Sequence, residues 1–136
     1  MTRILIVEDE SITAMELTWQ IEDAGYCVLG PEKSVEEAFK TLVRCRIDLA
    51  LLDIGVGGKT VFPVARRLAT TGVPFVFITG QPASRLPIEY RGRPLVSKPY
   101  ALPALIALIE STLKQGSAAA SRSLDTGRAQ DGHGTS

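Results

Sequence analysis

The sequence predicts an α/β protein, a parallel sheet sandwiched between helices, and two observations predict it. The first is the stretch Leu49-Ala50-Leu51-Leu52-Asp53-Ile54-Gly55. It is short and apolar without alternation, as strands buried on both faces are. The second is that short runs of this kind take turns with segments of helical periodicity, which calls for right-handed crossovers between parallel strands. At 136 residues and 45% hydrophobic composition the chain is one domain's worth, with enough apolar material for a core.

Taken in order, Arg3-Ile4-Leu5-Ile6-Val7 is the first strand. Ser11 to Ala24 then carries Ala14, Leu17, Ile21 and Ala24 on one helical stripe, flanked by Ile12, Met15 and Trp19, with Gly25 as terminator. Trp19 reads as packing. Tyr26 to Leu29 is the second strand, stopped by Gly30-Pro31. Ser34-Val35-Glu36-Glu37 matches a capping box and opens a helix with Val35, Ala38, Phe39, Leu42 and Val43 on one face. Asp48 to Ile54 is the central strand, and Gly55-Val56-Gly57-Gly58 reads as a loop of free backbone.

Thr60 to Ala69 is the third helix, with Val61, Val64, Ala65 and Leu68 inward and Pro63 tolerated in its first turn. Pro74 to Ile78 is the fourth strand. Gln81 to Arg93 contains Pro82, Pro87 and Gly92, so any helix there is short or irregular. Pro94 to Ser97 is the fifth strand and Ala101 to Lys114 the last helix. The folded domain is therefore placed at 1–114. From Gln115 the apolar periodicity stops, and 115–136, which includes His133, reads as a disordered tail.

The net charge is zero, so nothing pulls the chain generally toward nucleic acid or an anionic membrane. No apolar run is long enough to span a bilayer, and the N-terminus lacks the pattern of a signal peptide, so a cytoplasmic protein is expected. Cys27 and Cys45 lack metal-ligand spacing and read as buried thiols.

The chemistry lies at the strand ends. The first strand runs into Glu8 and Asp9, the third into Asp53, the fourth into Thr79 and Gly80, and the fifth into Lys98. In an open α/β sheet the carboxyl ends of parallel strands face one crevice, so these side chains should converge. Three carboxylates together repel, each pair at 4 Å by about 4 kcal/mol at an effective dielectric near 20. A hard divalent cation relieves this, and an oxygen-only donor set suits Mg²⁺. Asp9 and Asp53 are candidate direct ligands, Glu8 a direct or water-mediated one, and the Gly55 backbone carbonyl, in the loop after Asp53, another. Asp53 then has the surroundings of a carboxylate nucleophile in phosphoryl transfer, with Lys98 and Thr79 to hold the transferred oxygens and Gly80 leaving room beside them. The product is an aspartyl phosphate.

On these residues the sequence resembles the receiver domains of two-component response regulators. The resemblance runs from about Thr2 to Lys114 and rests on Glu8-Asp9, Asp53, Thr79 and Lys98-Pro99. It implies a flavodoxin-like (βα)5 three-layer sandwich with a five-stranded parallel sheet of order 2-1-3-4-5. It also implies Mg²⁺ at Glu8, Asp9 and Asp53, phosphorylation of Asp53 by a histidine kinase or phosphotransfer protein, switching through Thr79 and Lys98, and a cis Lys98–Pro99 bond. Such a domain is a phosphoacceptor that takes part in its own phosphotransfer and dephosphorylation, not an enzyme acting on other substrates. It signals to a downstream protein target. Two positions depart from the common pattern: Leu95 stands where many receivers have an aromatic switch residue, and Gly57 where many have proline. The fourth strand with Thr79-Gly80, the loop before Val61, and Lys98-Pro99-Tyr100 look like alphaproteobacterial FATGUY-type receivers, which often stand alone and pair with kinases of the HWE or a related class. Tyr100 reads as packing at the start of the last helix.

Three rivals share parts of this pattern. A haloacid dehalogenase-type phosphatase needs a second acid two residues after the nucleophile, where this chain has Gly55. A flavodoxin's phosphate would be repelled by Glu8 and Asp9. The stronger alternative is a receiver-like interaction module that works without phosphorylation, against which the full set of acids, hydroxyl and lysine argues.

Overall fold

The computed structural model describes residues 1–130, except for the side chains at 85 and 117–130. In chain order the elements are β1 (Arg3–Val7), α1 (Ser11–Asp23), β2 (Cys27–Glu32), α2 (Val35–Arg44), β3 (Leu49–Asp53), β4 (Gly55–Val56), β5 (Lys59–Thr60), α3 (Phe62–Thr70), β6 (Phe75–Thr79), β7 (Leu95–Ser97) and α4 (Leu102–Gln130). Five strands form one parallel sheet in the order β2-β1-β3-β6-β7. That is the expected order 2-1-3-4-5, with the small β4–β5 hairpin counted separately.

The strand period of two divides the core between the faces of the sheet. Ala50 and Leu52 of β3 join Leu5, Val7, Phe75 and Phe77 on one face, under Ala38 of α2 and Val64 and Leu68 of α3. Leu49 and Leu51 join Ile4, Ile6, Val76 and Ile78 on the other, under Leu17 and Ile21 of α1 and Leu105 and Ile109 of α4. Each fully buried side chain of this size contributes about 1.5–3 kcal/mol by leaving water. An unalternating apolar strand is stable only between two such layers.

Six local expectations are corrected. The second strand is not stopped by Gly30-Pro31 but runs through it to Glu32. Cys27 and Cys45 are half-buried rather than buried. On α1 the inward stripe is Ala14, Leu17 and Ile21, and the flanking Ile12, Met15 and Trp19 lie on the solvent side, with Trp19 65% exposed. At 100° per residue these three fall across the helix from Leu17, so helical spacing alone did not make them packing residues. Val43 on α2 is likewise 79% exposed. The segment 55–60 is an antiparallel hairpin rather than free loop, pairing Gly55 with Thr60 and Val56 with Lys59. It is anchored by Val56 and Val61, both buried in the core. The last helix does not stop near 114 but runs on to Gln130. Alanine-rich sequence at 118–120 has the propensity to extend a helix without any apolar face. The rest of the expected tail, with His133, lies outside the described residues.

Between β6 and β7 there are two single 3₁₀ turns, Ala83–Arg85 and Ile88–Tyr90, each preceded by a proline. Tyr90 pins this segment to the core. Its ring stacks on Phe62 at 5.3 Å, meets Phe75 and Phe77 edge-on, and its hydroxyl donates to the Phe62 carbonyl at 3.3 Å. The N-terminus of α2 is capped by Ser34, whose hydroxyl accepts from the Glu37 amide at 3.1 Å, while the Glu37 carboxylate reaches back to the Lys33 amide. Among the described residues no helix is long and apolar enough to cross a membrane.

Candidate functional site

Because the five strands run parallel, their carboxyl ends open on one side, and the site is built there. Glu8 and Asp9 follow β1, Asp53 is the last residue of β3, Thr79 the last of β6, and Lys98 follows β7. The ladder order puts β1 and β6 on either side of β3, so Asp53 sits at the middle of the crevice.

Glu8 is only 1% exposed. Its Oε2 accepts from the Glu10 amide at 3.1 Å and its Oε1 from Lys98 Nζ at 3.1 Å. Burial pushes its carboxyl up to about 7, helped by the neighbouring Asp53, and the bonds from the Glu10 amide and Lys98 only partly oppose this. Lys98 Nζ also donates to Asp53 Oδ2, again at 3.1 Å. Burial alone would lower the lysine, but the two carboxylates outweigh it and the net shift is upward, so the ammonium is firmly charged.

Thr79 is buried, its hydroxyl accepts from the Gln81 amide at 2.9 Å, and its carbonyl accepts from the Lys98 amide at 2.8 Å, tying β6 to the lysine. The Lys98–Pro99 bond is cis, as the resemblance implied. Tyr100 packs against the α1–α4 core layer, as its packing reading expected, and burial pushes its hydroxyl up. Gly55 is in the exposed hairpin next to Asp53, and a Cβ at Gly80 would meet nothing within 4 Å.

One carboxylate oxygen from each of Glu8, Asp9 and Asp53 lies within 4.8 Å of the others. An all-oxygen, anionic donor set of this size fits a hard divalent cation such as Mg²⁺. The convergence read from the strand ends is therefore what the backbone produces. One polar group escaped that reading: Asp9 Oδ2 accepts from the Gly57 amide at 2.9 Å, a bond from the hairpin into the site. The glycine pair was the only signal for it in the sequence.

No family model matches the chain. Among curated proteins it is 33% identical over 117 residues to the phyllosphere-induced regulator PhyR of Methylorubrum extorquens, covering 82% of this chain and 43% of the relative. Among solved structures it resembles SdrG from Sphingomonas melonis, with a TM-score of 0.73 and 34% identity over 83% of this chain and 97% of that one. It also resembles the signal receiver domain of a modulated diguanylate cyclase from Desulfovibrio desulfuricans, with a TM-score of 0.72 and 31% identity over 85% and 95% of the two chains.

The chain belongs to the response regulator receiver domains. Receivers of this family are signalling modules whose acidic pocket binds Mg²⁺, and this chain has an acidic cluster of Glu8, Asp9 and Asp53. The chain spans about half or less of the length of the curated relatives it matches.

Proposed function

We propose that this receiver accepts a phosphoryl group on Asp53 from a histidine kinase or a phosphotransfer protein. The observation that carries the reading is Asp53 at the centre of the crevice, its Oδ2 held 3.1 Å from Lys98 Nζ and its carboxylate clustered with those of Glu8 and Asp9. A carboxylate oxygen of Asp53 attacks phosphorus, a P–O bond forms, and the P–N bond of the donor phosphohistidine breaks with its electron pair leaving on the imidazole. Lys98 moves its hydrogen bond from the Asp53 oxygen to a phosphoryl oxygen, and the Thr79 hydroxyl exchanges the Gln81 amide for another. That exchange draws the loop after β6 inward. Glu8, Asp9, Asp53 and the Gly55 carbonyl are the groups that would hold Mg²⁺, which when bound supplies neutralisation of the charge developing on the transferred group.

Output is by protein contact, as an adaptor, an inhibitor or a phosphate sink. Ile12, Met15 and Trp19, large and exposed along the outer face of α1, support contact with a protein partner. The Thr79-Gly80 and Lys98-Pro99-Tyr100 segments support a stand-alone receiver of the FATGUY type served by an HWE-type kinase.

Intact-mass spectrometry after incubation with acetyl phosphate and Mg²⁺, on the wild type and on Asp53→Asn, tests the reading. A Mg²⁺-dependent phosphate adduct on the wild type alone is expected. If neither acetyl phosphate nor a phosphorylated histidine kinase labels the wild type, the phosphorylation-independent interaction module replaces this reading.

A further inference from the structure

We propose that the backbone N–H of Gly57 is a positioning group that fixes the Asp9 carboxylate in the acidic crevice, so that the tip of the β4–β5 hairpin sets how well the crevice holds a divalent cation. The proposal rests on the cation reading above.

Asp9 is exposed and follows the end of β1, where a short flexible carboxylate would sample several rotamers. Its Oδ2 instead accepts from the Gly57 amide at 2.9 Å, across 48 positions of sequence. Hydrogen bonds to an ionised acceptor are the strong ones, and one N–H leaves the other oxygen and further lone pairs free for a cation.

The donor is available because of how the hairpin is made. Gly57 and Gly58 have φ of +59° and +78°. Positive φ at both central residues is a type I′ turn, whose twist suits a two-residue hairpin. In it the Gly57 amide points away from the Val56–Lys59 pair and toward Asp9. A proline at this position could neither donate nor take that φ.

The turn is itself held from outside the site. Val56 is buried in the core, Lys59 is ion-paired with Glu36 on α2, and a Cβ at Gly57 would lie 3.5 Å from the Lys33 carbonyl. The donor is thus tied to the sheet through buried Val56, and Asp9 is oriented against an anchored hairpin rather than a floating loop.

The test has two arms on the full chain. In the first, hydrogen exchange of the Gly57 amide is followed by NMR without metal. The wild type should exchange about tenfold more slowly than Asp9→Ala, with Asp9→Asn, which keeps a carbonyl acceptor, restoring part of the protection. Equal rates in wild type and Asp9→Ala overturn the proposal.

In the second arm Mg²⁺ affinity is measured on a semisynthetic chain in which glycolic acid replaces Gly57, turning the amide into an ester that removes the N–H and keeps the backbone length. Loss of one charge-assisted bond should weaken Mg²⁺ binding about tenfold, whereas Gly57→Asn, which keeps the N–H and tolerates positive φ, should bind within about threefold of wild type. Wild-type affinity in the ester overturns the proposal. A wild type that binds no Mg²⁺ while its Gly57 amide stays protected overturns the cation reading instead and leaves the bond a purely structural clasp.

Discussion

Lys98 Nζ donates to Glu8 Oε1 across 3.1 Å, joining the loop after β7 to a carboxylate buried at the end of β1. The same ammonium reaches Asp53 at the same distance. One positive charge is therefore divided between two carboxylates that repel each other, one of which has no access to water. Removing the lysine strands Glu8, and filling the crevice with a divalent cation competes for the lysine's partners. The arrangement gives Lys98 two tasks, charge compensation in the resting domain and capture of a phosphoryl oxygen in the reading proposed above.

Lys98→Met should expose the first task. At about pH 8, without metal, it should lower unfolding free energy by about 2–3 kcal/mol, because an ionised buried carboxylate loses its partner. At about pH 5 Glu8 holds its proton and needs no counter-charge, so the loss should be much smaller. Urea unfolding of both proteins at the two pH values checks this, and an equal loss at both would show that Lys98 contributes through packing of its stem.

The wild type should show a related pH dependence. Glu8 titrates near 7 in the folded domain against 4.5 in the unfolded chain. Between those values the folded state holds a proton that the unfolded state has released, so the contribution is full below 4.5 and is lost as pH rises through about 7. The slope in that window is at most about 1.4 kcal/mol per pH unit. Lys98 is shifted upward and keeps its charge throughout this window, so it adds no slope there. Mg²⁺ bound to the ionised carboxylates should recover stability at neutral pH by mass action. Metal-free urea midpoints that rise from pH 5 to 7 would contradict the assignment.

Much of this site was legible because strand ends are legible. An apolar run broken by Asp53, Thr79 or Lys98 marks both the strand and the side of the sheet to which its last residue belongs, and parallel order does the rest. What was not legible depends on distances that no periodicity encodes. Nothing in the sequence says that Glu8 is sealed from solvent while Asp9, its neighbour, is exposed. Gly55-Val56-Gly57-Gly58 reads as loose backbone because two glycines signal freedom and turn alike, and only the burial of Val56 decides for the turn. Trp19 is a different case: it reads as packing, although helical rotation of about 100° per residue from Leu17 was enough to place it on the outer face, where it lies.

That last assignment has a direct test on one helix. Leu17 is 1% exposed against Ile4, Ile6 and Leu51, and Trp19 projects to solvent two residues on. Leu17→Ala should cost about 2.7–5 kcal/mol through lost burial and a residual cavity. Trp19→Ala should change stability by no more than about 0.5 kcal/mol, as surface substitutions do. Thermal or urea melts of the two variants decide, and comparable losses would mean that the outer face of α1 is covered in solution.

The C-terminal boundary is the final point at issue. Of α4, Leu105 and Ile109 are fully buried and Thr112 nearly so, and Leu113 packs against the same layer. The last described side-chain environment is that of Gly116, where a Cβ would lie 3.5 Å from the Pro74 ring. A chain ending after Gly116 keeps every one of these contacts. Truncation there should leave the unfolding free energy within about 0.5 kcal/mol of the full chain, since every described core contact of α4 is retained. Phosphorylation of Asp53 by acetyl phosphate should be unchanged. A destabilised or unlabelled truncation would mean that residues beyond 116 are part of the folded receiver, and the domain would have to be extended past 114.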